Sequence, residues 1–354
     1  MFIILGALDE CSDERPAEIV RQFHKIATDA TEKDVRLMIC LSCRESPAVT
    51  LPSKLTIELT KHNRSALDLY IKTRLGDMLS EPQHTASIRT LLYDKSEGHF
   101  LWASLALDRL QLDYENSVPL ENFRDFIQDM PTPERLEEAY AYSCLHMSEE
   151  EKKKGTIMAQ WMKAAGTQRT VTSRELGVAM EFLLTDETSF EKAHRSSNAV
   201  TTDLDQLRRF ITQNSGGMLH VVTQSDHDIV ADRHDTVRSF FDSTKGFEIL
   251  GFTTSDEFKI AAEDLVVRCL QRFASMEEFK KSPGGVDGMA SFCNEWDRFD
   301  SPMQVNRKQP HWAALAEYSA LYAFEHVQKS TYFSRHSKAA NTEVNSQMQD
   351  LIMA

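Results

Sequence analysis

Apolar residues run unbroken over 1–8, and a second apolar-rich stretch covers 35–42 (VRLMICLS). Runs of this length suit strands buried on both faces. Between them Ile19, Val20, Phe23, Ile26 and Ala27 recur at helical spacing, with Pro16 near the start, which predicts a helix over 16–30. Strand, helix and strand with polar connections form a βαβ unit. A third, weaker strand is predicted at 55–59. Beyond it the apolar spacing turns helical over 66–79, 85–96, 101–112 and 120–130, punctuated by Pro119, Pro131 and Pro133.

From about residue 133 the rhythm changes. Helices are predicted at 134–146, 150–164 and 173–184, the last opened by Thr172 or Ser173 with Glu175 close behind. A polar loop over 192–202 leads to a helix at 204–214 and a turn at Ser215-Gly216-Gly217. Two short apolar runs follow, 218–223 and 228–231, which predict a hairpin. Helices followed by a hairpin and another helix suggest a winged-helix domain. Long amphipathic helices are predicted at 256–273 and 312–327. The chain turns polar after Tyr332, which predicts a frayed or disordered tail. The expected fold class is a small α/β sheet followed by a predominantly helical chain.

The first apolar run ends in Asp9-Glu10, as the magnesium-and-water strand of a P-loop NTPase does. Two departures weaken that chemistry. Gly6 stands where such strands place their first aspartate, and no GxxxxGK[ST] phosphate loop occurs in the 354 residues. The glycines of 282–288 (SPGGVDG) lack the following lysine and hydroxyl, so they form no phosphate cradle.

Composition narrows the partners. The net charge of −14 argues against nucleic acid, whose phosphates need a cationic surface. Lys152-Lys153-Lys154 follows Glu149-Glu150-Glu151, the pattern of a solvated helix start. No run reaches membrane-spanning length, and the apolar start lacks the cationic segment of a signal peptide. Six scattered cysteines point to free thiols in a reducing, cytoplasmic setting. Cys40 and Cys43 face opposite sides of a strand, so they cannot share one metal ion there. His220, His227 and His234 recur every seven residues but match no closed zinc motif. No metal site is expected.

In several segments the chain resembles the fungal NACHT proteins, signal-transducing STAND NTPases of the NLR type that often carry ankyrin repeats. Gly6-Ala7-Leu8-Asp9-Glu10-Cys11 is similar to the family's DALDEC, and Leu41-Ser42-Cys43-Arg44 to its Ser-Arg strand end. Glu97 to Ala103 resembles GxFLWA, Pro131 to Tyr140 resembles LPxxLxxxY, and 157–161 with 171–179 resembles ILxW…LTLxELxxA. Ala231 to Phe241 (ADRHDTVRSFF) is similar to FxHxSVRxFL, and 258–270 and 309–326 resemble the helices that precede the repeats. The order and spacing together cover most of 1–326.

The resemblance implies a domain series. Residues 1–60 would be the later part of the NACHT P-loop core, and 61–131 a lid-like helical bundle. Residues 132–245 would form a winged-helix-like hinge, 246–330 a helical segment before the repeats, and 331–354 a polar tail. It implies ATP or ADP and Mg²⁺ as family ligands, Asp9 and Glu10 as the water-activating carboxylates, Arg44 as a γ-phosphate sensor and His234 as a contact to the β-phosphate of ADP. With the phosphate loop and one carboxylate missing, these are vestiges, and no cofactor is expected to bind. A helix-junction cap is the structural role open to His234. No ankyrin repeat appears. The expected function is a truncated, non-catalytic NACHT-type regulatory or interaction module in fungal self/non-self recognition, with protein partners or self-association. The alternatives are a fragment of an active NACHT NTPase and a winged-helix nucleic-acid-binding protein. The N-terminal sheet is expected to keep an open edge and an uncovered apolar face.

Overall fold

The computed structural model describes residues 1–6, 8, 15–43, 57–79, 82–165, 170–185, 203–224 and 227–275, together with Leu315, Tyr318, Tyr322, Glu325, His326 and Lys329. The chain divides into two compact units, Met1–His62 and Asn63–Ala354. The described residues are predominantly helical.

In the first unit, strand β1 (Phe2–Leu5) leads through helix α1 (Arg15–Glu32) to β2 (Met38–Leu41), and a short helix α2 (Leu59–His62) follows. The strands pair in parallel, Phe2 against Met38 through Leu5 against Leu41. The pairing is extended by Leu8 N–H donating to Ser42 C=O at 2.9 Å. Burial on both faces does not hold. Side chains alternate, with Phe2 and Ile4 75% and 81% exposed while Ile3 and Leu5 are half-buried. Parallel sheets are covered on both sides when helices flank both faces. Here α1 contacts β2, and the row Phe2, Ile4, Met38 and Cys40 faces outward. The strand predicted at 55–59 also fails at its described end, because Leu59 opens α2.

The second unit opens with a bundle of α3 (Arg64–Met78), α4 (Pro82–Ser96), α5 (Phe100–Glu115) and α6 (Leu120–Asp129). Helix α5 is its axis. From Leu101 to Asp113 no residue is exposed, as its near-continuous apolar sequence requires. Trp102 is fully buried, and its indole N–H donates to Pro131 C=O at 2.6 Å, so the proline that ends the bundle sequence also satisfies its largest side chain. A 3₁₀ turn, Pro133–Arg135, enters α7 (Leu136–Leu145).

Next come α8 (Glu149–Ala165), β3 (Val171–Thr172), α9 (Ser173–Leu184), α10 (Leu204–Asn214), β4 (Leu219–Gln224) and β5 (His227–Asp232). The sheet order is β3-β5-β4, antiparallel throughout, so the strand between α8 and α9 adds to the outer side of the later hairpin. Local chemistry sets these boundaries. Ser148 and Glu151 form a reciprocal capping box at α8, Thr172 Oγ1 accepts from Glu175 N–H, and Asp203 Oδ1 accepts from Asp205 N–H. Helices α11 (Asp235–Asp242), α12 (Thr244–Ile249) and α13 (Ser255–Ser275) follow.

Two cores result. One joins α8, α9, α10, the sheet and α13 around Trp161, Phe182 and Phe273. The other joins the bundle, α7, Met218, Val237 and Phe240. Leu315, Tyr318, Tyr322, Glu325, His326 and Lys329 are helical, in keeping with the helix predicted over 312–327. The predicted loops at 192–202 and 282–288 and the tail after 331 lie outside the described residues.

Candidate functional site at the hairpin-to-helix junction

The four residues that the family resemblance singles out fare differently. Asp9, Glu10 and Arg44 lie outside the described residues. His234 is placed, half-buried, where β5 gives way to α11. Its backbone is extended (φ −158°, ψ 155°), and it is the N-cap of α11. Nδ1 accepts from Thr236 N–H at 3.2 Å and lies 3.0 Å from Thr236 Oγ1. The same hydroxyl is 2.8 Å from the Tyr140 hydroxyl. One chain of donors satisfies all three groups: Tyr140 donates to Thr236, and Thr236 donates to Nδ1. An imidazole held this way carries its proton on Nε2, leaving that N–H as the donor it can offer a ligand. The capping role is therefore realised.

One residue earlier, Arg233 anchors the same junction. Its N–H donates to Met218 C=O at 2.8 Å, and its guanidinium contacts Ser104 Oγ and Asp108. Asp108 is shared. Oδ2 lies 2.6 Å from Arg233 Nη2, and Oδ1 accepts from Arg74 Nη2 at 2.8 Å. Arg74 also donates to Gln111. A second ion pair sits one turn on, where Arg109 meets Asp113 at 2.7 Å, with Glu151 at 3.8 Å. Burial pushes the Asp113 carboxyl above its ordinary range, with Arg109 opposing. Periodicity alone misses this cluster. The usable signal is that Asp108, Arg109 and Asp113 interrupt an otherwise apolar helix, and a buried charge requires a partner.

His220 and His227 sit on β4 and β5, and no group of metal-ligating side chains occurs among the described residues. Burial, with Arg233 adding to it, holds the His220 imidazole below its usual value. Cys40 and Cys43 are exposed free thiols. A cavity of about 20 Å³, room for about one water, lies between α7, α8, the Asn214–Leu219 turn and α12. Cys144 lines it, but burial pushes that thiol up to about 12, which leaves it protonated and unreactive at neutral pH. The lysines of α8 pair with its leading glutamates, Lys152 with Glu149 and Lys154 with Glu150, as a solvated helix start would.

No helix among the described residues is long and apolar enough to cross a membrane. No family model, curated protein or solved structure matches the chain.

Proposed function

We propose that the chain is a non-catalytic regulatory or protein-interaction module of the NACHT/STAND type. One observation carries this reading: helix α8, strand β3, helices α9 and α10 and the β4–β5 hairpin follow the order of a winged helix, and His234 caps the helix at the hairpin exit. That is the setting in which the resembled family places its nucleotide-sensing histidine. The order β3-β5-β4, with the short strand added to the second strand of the wing, supports the winged-helix assignment.

The use of that module here is protein contact rather than nucleic-acid binding. In a winged helix that reads DNA, α10 would enter the groove. Its Arg208 is instead engaged by Asp228 at 3.0 Å and by Thr223, both on the hairpin, and Gln213 at its far end donates to Glu115 of α5. The net charge of −14 opposes phosphate binding further.

Within these 354 residues, the sequence features argue against a working ATP·Mg²⁺ site. The sequence has no GxxxxGK[ST], and Gly6 replaces the magnesium-side carboxylate. No hydrolytic step follows from them. A phosphate-release assay with ATP and Mg²⁺ tests the proposal: no turnover above background is expected, and turnover lost on Glu10→Gln would overturn it. Salt-sensitive retention of duplex DNA would move the function to nucleic acid.

A further inference from the structure

We infer that the Arg74–Asp108–Arg233 cluster is an orientation-setting latch. It fixes how the β4–β5 hairpin and α11 sit on the α3–α6 bundle, and it adds little net stability. This goes beyond the proposed function and does not depend on any nucleotide.

The cluster joins three separate parts of the second unit. Arg74 comes from α3, Asp108 from α5 and Arg233 from the hairpin exit. The hairpin's entry turn passes close to Asp108. Gly217 has φ +78°, and a Cβ there would lie 3.5 Å from Asp108 Oδ2. One carboxylate thus meets the hairpin exit and the neighbouring helix, and lies near the entry turn.

The charges are mostly removed from water, with side-chain exposures of 11% for Asp108 and 19% for Arg233. Taking such groups out of water costs as much as their attraction returns, so a buried ion cluster contributes little over apolar side chains of similar size. What it contributes is direction. Asp108 Oδ1 accepts from Arg74 and Arg233 Nη1 donates to Ser104 Oγ, directed bonds whose planar guanidiniums accept few approach angles, while Oδ2 meets Arg233 Nη2 as a close ion pair without a hydrogen bond. The surrounding contacts are mixed: the Tyr140 hydroxyl meets Thr236 of α11 and Ser143 donates to Gly216 C=O at 3.1 Å, both from α7 rather than from the α3–α6 bundle, and the rest are apolar. Met218, Val237 and Phe240 pack with Met147 and Tyr140, and apolar packing of this sort tolerates sliding and repacking.

The test compares two variants of the full chain by thermal unfolding and by hydrogen exchange with peptide resolution. In the triple variant Arg74→Met, Asp108→Leu, Arg233→Met, the melting midpoint is expected to equal or exceed that of the wild type. Amides of β4, β5 and α11 are expected to exchange about tenfold faster or more, while those of α5 keep their protection. Asp108→Asn alone leaves two guanidiniums facing each other. It is expected to lower the midpoint and to release the same hairpin amides first. A triple variant that fails to fold, or that loses α5 and hairpin protection together, would show the cluster to be ordinary stabilisation. Unchanged hairpin protection in either variant would show that it sets nothing.

Discussion

At the residue scale, the fold rests on a few side chains with single solutions. Trp102 fills the centre of the bundle and spends its one donor on Pro131. Trp102→Phe keeps most of the apolar volume but strands that carbonyl, so a loss of about 1–3 kcal/mol is expected in urea unfolding. Gly246 is constrained by space: a Cβ there would lie 2.0 Å from the Phe240 carbonyl oxygen. Gly246→Ala must displace backbone where α11 meets α12, and a loss of about 1–3 kcal/mol is expected by the same measurement. His220 supplies a pH signature. Its folded-state value is depressed below the 6.5 of the free side chain, so the unfolded chain binds more protons between the two values. Stability attributable to His220 is therefore complete above pH 6.5 and falls as the pH drops through that window. His220→Gln should flatten this part of the melting-point-versus-pH curve. Asp113 and Asp232, whose carboxyls burial raises, act in the opposite sense, gaining stability as the pH falls towards 3.8.

At the element scale, helix limits were largely legible in the sequence because their signals are local. Helices α9 and α10 occupy the residues that spacing and capping indicated, 173–184 and 204–214. The capping box of α8 is another such signal, and Ser148→Ala should cost about 1 kcal/mol. Burial was less legible. A continuous apolar run indicates that a strand could be covered on both sides, but only neighbouring elements decide whether it is. In β1 the outward row Phe2 and Ile4 is exposed. A two-stranded sheet is marginal by itself. Amides of Ile3 to Leu5 should therefore exchange far faster than those of α5. Equal protection in the monomer would mean that the β1–β2 pair is stabilised as firmly as the bundle.

At the scale of the whole molecule, the succession of helices, hairpin and helix over 173–242 was signalled by punctuation in the sequence: Thr172 or Ser173 with Glu175, the Ser215-Gly216-Gly217 turn and two short apolar runs. The candidate site was half legible. His234 stood out through the family resemblance, and it caps α11 at the hairpin exit. Arg74 and Asp108 did not stand out, because their pairing joins residues far apart in sequence and no spacing rule connects them. The second unit thus joins its three-stranded sheet and following helices to the bundle through both an apolar core and a charged cluster. The most direct measurement is a calorimetric titration of the full chain with ATP and Mg²⁺. No saturable heat is predicted up to millimolar nucleotide, whereas a micromolar dissociation constant would contradict the account.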